Sequence, residues 1–188
     1  ITSDNDGTDT QYINVGYEKD IDNWTLGGRQ GLFHVTDPNG SATLNDTFFT
    51  FRRNDTNNFV TGSVGTMYNS DWSFLTYDLT GTYFDDKWWI EGGTDHGFID
   101  STLAIDSKIT YDVYFLAVDR VLNDEWGVMG GVYQTNFSDN NSRLKFIEMV
   151  TYSPSYLDGI YFQAKFSQEG SDFNPPEYFA PDSKEQRM

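Results

Sequence analysis

The chain has 188 residues, 37% hydrophobic and 17% aromatic, with a formal net charge of −17 and no cysteine. Its wealth of rings excludes intrinsic disorder, and the missing thiols exclude disulfide staples, Cys-based zinc sites and Cys nucleophiles. Nucleic acid is excluded as a partner because phosphate binding draws on clustered Lys and Arg, and a membrane-spanning helix because no run approaches eighteen apolar residues.

The segment opens Ile1-Thr2-Ser3-Asp4 with no secretory leader pattern, so it is expected to be processed or to be a piece of something longer. Asp4, Asp6 and Asp9 then give Asp4-Asn5-Asp6-Gly7-Thr8-Asp9 the oxygen-rich look of a calcium loop. The bidentate Glu that closes an EF-hand loop is missing. The expected reading is a solvated turn, with calcium as a weak option and no other cofactor.

From there, alternation with period two recurs and helical periodicity does not. It predicts strands at Gln11–Glu18, Trp24–Val35, Ser41–Arg53, Phe59–Tyr68 and Ser73–Phe84. Further strands are predicted at Lys87–Gly93, Ile109–Asp119, Trp126–Phe137, Arg143–Tyr152 and Leu157–Ser167. Between them stand Asn-, Asp- and Gly-rich turn signals such as Asp37-Pro38-Asn39-Gly40 and Asp139-Asn140-Asn141, which tolerate the left-handed backbone of hairpins. One longer connection, Thr94–Lys108, is predicted to hold a helical turn around Ser101–Ile105. The expected fold is all-β: an antiparallel up-and-down meander of about ten strands, one unit over residues 1–188, without a domain boundary.

A soluble sandwich buries the apolar face of each strand, whereas a membrane barrel turns it to lipid. The polar faces here carry Thr, Ser, Asp, Gln and Tyr with little Lys or Glu, as a confined wet lumen would. Aromatics (Tyr12, Trp24, Trp72, Tyr83, Trp88, Trp89, Trp126, Tyr152) cluster near strand ends as girdles do, and strands of about ten residues suit a tilted membrane span. The barrel is favoured. If Leu75, Tyr77 and Leu79 face lipid, Asp78 and Thr80 face the lumen. By the same logic, setting Tyr111, Val113 and Phe115 against lipid turns Asp112 and Tyr114 inward. Tyr161, Gln163 and Lys165 join that expected lining. Glu148 breaks the pattern, sharing a parity with Leu144, Phe146 and Val150; either the strand bulges or its lumen face runs from Leu144 to Tyr152.

Three stretches carry a family resemblance: Gly97-Phe98-Ile99-Asp100-Ser101-Thr102-Leu103-Ala104-Ile105-Asp106-Ser107-Lys108-Ile109-Thr110, then Tyr133 to Arg143, then Pro176-Glu177-Tyr178-Phe179-Ala180-Pro181. In this order they resemble the membrane barrel of tetratricopeptide-type exopolysaccharide export porins, typified by the poly-N-acetylglucosamine porin. The second stretch departs from the family's usual hairpin: Asn140-Asn141-Ser142-Arg143 lacks its Gly and one Arg. The resemblance implies a barrel of about sixteen strands in the bacterial outer membrane. It also implies that the strands after Met188 are supplied by a continuation of the chain or by another copy. Ten strands alone would leave two edges that lipid cannot satisfy.

Catalysis is not expected. Glu91 and Asp95 beside Trp88 and Trp89 look at first like a glycosidase carboxylate pair, but girdle tryptophans and loop acids are the plainer reading. His34 and His96 have no metal-partner spacing. The expected function is a non-enzymatic outer-membrane conduit for an exopolysaccharide, in contact with membrane lipid. Family resemblance makes the cargo a partly cationic amino-sugar polymer, drawn by an acidic lumen. Against the acidic lumen stands the placement of most of the acid in loops. The rivals are a barrel translocating another cargo, such as surface lipoprotein, and a secreted carbohydrate-binding β-sandwich.

Overall fold

The computed structural model describes residues 2–3, 7–156 and 159–172. They form one antiparallel sheet in which every strand pairs with its neighbours in sequence order, β1 to β11. The strands are β1 (Thr2–Ser3), β2 (Asp9–Ile21), β3 (Trp24–Asp37), β4 (Gly40–Asn54), β5 (Asn58–Tyr68), β6 (Ser73–Phe84) and β7 (Trp88–Phe98). After a short helix, α1 (Thr102–Asp106), come β8 (Thr110–Val121), β9 (Trp126–Phe137), β10 (Ser142–Tyr152) and β11 (Phe162–Asp172).

Ten of these strands run 11 to 15 residues. That is about twice the usual length in globular sheets. The antiparallel meander read from alternation is therefore present, with three differences. β1 adds a two-residue strand against Asp9 and Thr10. β7 continues past Gly93 to Phe98, through Thr94-Asp95-His96, where mixed polarity hides the alternation. β11 begins at Phe162, and of the residues expected to open it, Leu157 and Asp158 lie outside the described residues.

Turn chemistry follows the residues that allow it. Asp22 and Asn140 adopt left-handed backbone, φ 53° and 70°, in the β2–β3 and β9–β10 turns. Asn69, Asp85 and Asn123 each accept backbone N–H bonds two and three residues on, closing three more turns. These connections define two ends of the sheet. Trp24, Trp88 and Trp126 begin their strands at one, called here the tryptophan end. The other carries α1 and is called the helix end.

α1 occupies the span expected for a helical turn. Ser101 caps it, its side chain accepting the Ala104 N–H at 3.2 Å. Although α1 follows β7, it packs on β3 and β4. The Thr102 N–H and hydroxyl donate to the two carboxylate oxygens of Asp37, at 2.8 and 2.7 Å, across 65 residues of chain. In a flat sheet, β3 and β7 would stand about 19 Å apart. The sheet therefore curls around the face that α1 covers, which makes that face concave. Beneath the helix lies the main apolar cluster, Phe33, Val35, Leu44, Phe48, Met67, Phe98 and Ile105. Thr102→Val is expected to cost about 1.5–3 kcal/mol, the usual worth of a hydrogen bond to a charged group. Amide exchange at residues 102–106 checks it: faster exchange is expected, and unchanged protection would mean that Ile105 alone holds the helix.

Candidate functional site: the concave face

Register assigns the strand residues to faces, because residues directly opposite each other in a ladder point the same way; Phe98, the last residue of β7, departs from it by packing under α1 with Phe33 and Phe74. Ser63, Asp78, Asp95 and Val113 are successive partners across β5 to β8, so they share a face. The row containing Asp78 lies on the side of α1: Phe74 belongs to it and packs against the cluster under the helix.

Apart from the apolar cluster under α1, burial separates the two faces in a way opposite to that of a soluble sheet. On the concave side, polar groups are sheltered: Thr25, Asp46, Ser63, Thr76 and Thr82 are buried. On the convex side, large apolar groups are open: Ile13 is 71% exposed, Val15 74%, Leu75 54%, Leu116 49% and Phe166 65%. No second layer covers them among the described residues. The oily faces do not meet across a dry interior, as a sandwich would require.

The charges of the concave face are segregated. β4 contributes Arg52 and β10 contributes Arg143 and Lys145. Between them, β5 to β9 place only acids on this face, Asp78, Glu91, Asp95 and Asp119. Asp78 and Asp95 stand directly opposite each other, a like-charge pairing that is unfavourable unless something cationic compensates. Ser63 donates its hydroxyl to Asp78, and Tyr111 donates to Asp95 at 3.0 Å. Next to the acids, Phe115 and Tyr133 stack at 5.6 Å with planes 11° apart. The Phe115 ring lies over Gly93, where an added Cβ would come within 2.9 Å of it. Towards the tryptophan end, a polar depression of about 190 Å3 is lined by Glu18, Thr25, Arg29, Arg52, Ser63 and Asp78, among others. Arg29 sits over the Phe48 ring at 4.3 Å. On the last strands, Glu169 pairs with Arg143 at 2.9 Å and lies 4.0 Å from Lys145.

Of the residues expected to line a lumen, Asp78, Thr80, Gln163 and Lys165 lie on this concave face. Tyr161 is exposed just before β11. Asp112 and Tyr114 do not join them. Asp112 is opposite His96, itself opposite Tyr77, and Tyr114 is opposite Thr94, itself opposite Leu79; both belong to the convex face. The correction has a plain cause. β8 is apolar on both sides, Tyr111, Val113, Phe115 and Ala117 on one and Leu116 and Val118 on the other, so alternation alone chooses wrongly. Asp112 is held at 2.9 Å by His96 Nδ1, with the Tyr77 hydroxyl at 3.4 Å.

Glu148 resolves differently from either expectation. The β10 ladder is unbroken on both sides, so there is no bulge. Leu144, Phe146 and Val150 share the convex face with Glu148, all of them exposed, while Lys145, Ile147 and Met149 point inward. The aromatics divide as well. Trp24, Tyr83, Trp88, Trp126 and Tyr152 ring the convex tryptophan end, whereas Tyr12 and Trp89 lie on the concave face. Trp72 stacks on Phe74 at the helix end, 4.7 Å apart. Glu91 and Asp95 both sit on concave β7, about 13 Å apart at the strand's rise per residue. That exceeds the separation of glycosidase carboxylates.

Among the described residues no His, Asp and Glu gather in a group that would hold a metal. Asp4 and Asp6 lie outside the described residues, and Asp9 opens β2. In the turns, the Lys87 N–H, the Tyr83 hydroxyl and the Trp88 N–H hold Asp85 below the usual carboxylate range. Ser155 does the same for Glu125 through its hydroxyl and N–H.

No protein-family model matches the chain, and no curated protein matches it. Among solved structures it is similar to a bacterial polysaccharide outer membrane secretin, with a TM-score of 0.70 and 16% identity over 92% of this chain and 59% of that one. The chain thus spans 59% of the length of that protein. At this identity the likeness is one of fold: a long antiparallel meander curled around one face.

Proposed function

We propose that this chain forms part of the wall of a bacterial outer-membrane β-barrel and that the barrel passes an exopolysaccharide outward. One observation carries the reading: polar side chains are sheltered on the concave face while Leu, Ile, Val and Phe are open on the convex one. Hydrocarbon is the solvent in which that arrangement is stable. Strands of 11 residues or more are long enough to cross the hydrocarbon layer when tilted. The structural neighbour, a polysaccharide outer membrane secretin, supports the class of cargo. A barrel carrying surface lipoprotein shares the same wall, and the acidic stripe beside stacked rings favours sugar. Carboxylates attract amine-bearing sugars at long range, and ring faces let them slide.

Along most of their outer edges β2 and β11 have no neighbour among the described residues. In lipid those edges need partners, supplied by more of the same chain or by a second copy. The protein is expected to need detergent for extraction and to migrate faster on gels before heating than after. A protein that stays in buffer without detergent would remove the reading.

A further inference from the structure

Every Lys or Arg on the convex face of the described strands lies within two residues of a strand terminus at the tryptophan end: Lys19, Arg53 and Arg120. Two of them repeat one arrangement. Arg53 is opposite Trp24 and Arg120 is opposite Trp88, with guanidinium carbons 5.5 and 4.6 Å from the ring centroids. Stacking holds a guanidinium flat and leaves its N–H fork pointing outward, the geometry that takes a phosphate in two hydrogen bonds. Arg53 spends its Nε on Asp55 at 2.9 Å, and Arg120 has no ion pair among the described residues. Trp and Tyr beside them favour the boundary between headgroups and acyl chains.

The helix end contrasts with this. Its convex rim has no strand cation and instead carries Asp112 with His96 and Tyr77. Lys108 stands apart, in the loop after α1. The turns at the tryptophan end are acidic, but Asp55, Asp85 and Glu125 are engaged with Arg53, the Lys87 and Trp88 amides, and Ser155 respectively. Asp22, Asp86 and Asp124 sit in turns beyond the strand ends.

We infer that this rim binds the phosphate groups of lipid A, the phosphorylated glycolipid of the outer leaflet, so that the tryptophan end faces the cell exterior and α1 the periplasm. The inference rests on the barrel reading and adds an orientation and a lipid partner to it. A cation at an anionic surface is worth about fivefold in affinity, and two together about 25-fold.

The test uses the full-length protein in neutral detergent, titrated with bis-phosphorylated lipid A and, separately, with its dephosphorylated form. Tryptophan emission reads binding. The phosphorylated lipid is expected to bind at least tenfold more tightly, and Arg53→Gln with Arg120→Gln to weaken it by about 25-fold. Arg53→Lys with Arg120→Lys is expected to recover only part of the affinity, because an ammonium keeps the charge and loses the stacked fork, and Lys145→Gln, on the concave face, to change nothing. Equal binding of both lipids, or equal loss with Lys145→Gln, overturns the inference.

Because the chain has no cysteine, single replacements read orientation in intact cells. A membrane-impermeant maleimide is expected to label Asp86→Cys and to spare Asp71→Cys, and the reverse pattern overturns the assignment. Failure of the barrel reading is seen separately, before any lipid is added, as a protein that needs no detergent.

Discussion

Leu116→Arg is expected to prevent stable insertion, while Thr80→Arg leaves the fold and the membrane assembly intact. Leu116 lies mid-strand on the convex face, between Gly92 and Val132, and is 49% exposed. An arginine there meets acyl chains at the middle of the span and costs about 2–4 kcal/mol. Thr80 is mid-strand on the concave face, opposite Thr61 and Gly93, where water and neighbouring acids accommodate a cation. A soluble protein would answer with the opposite sign. Its exposed Leu would accept Arg within about 0.5 kcal/mol, and its sheltered Thr would not. Heat-dependent gel migration of the two variants, side by side, decides the facing of the whole sheet.

The second large effect concerns Asp78 and Asp95. Two carboxylates directly opposite each other, on strands that carry no Lys or Arg of their own, concentrate negative charge on the central strands. At about 4 Å in water each unit charge contributes about 1 kcal/mol to a passing ammonium, or roughly a fivefold change in local concentration. Asp78→Asn with Asp95→Asn is therefore expected to lower export of an amine-bearing polymer by an order of magnitude and to leave a neutral one unchanged. Asp112→Asn, on the convex face, is expected to leave export unaltered. Export assays on the three strains check this. Equal export by the double variant and the wild type would place the attraction elsewhere.

Strand number, strand order and the small helix are legible in the residues because each is written locally. Alternation marks a strand, and Asn, Asp and Gly mark where it turns. Asp78 opposite Asp95 is not within reach of counting: the three residues after Phe84 would set Phe84 against Trp88 and Asp78 against Thr94, whereas the ladder sets Phe84 against Trp89. Asp95 is missed because β7 is cut short at Gly93, where a polar run masks its alternation. Asp112 is missed for another reason. Eleven residues separate Phe98 from Thr110, so nothing local ties β8 to β7. With apolar groups on both sides of β8, only the formed ladder says which side is which. The concave cations Arg52, Arg143 and Lys145 follow once register is known, and no spacing rule announces them.

The Asp37–Thr102 tie also bears on the order of folding. Each pairing in the meander joins neighbouring segments, so ribbons can zip hairpin by hairpin with little loop entropy to overcome. The carboxylate at the end of β3 must instead wait until β4 through β7 have emerged and aligned. The bend that this tie fixes therefore depends on a contact that no single hairpin can make.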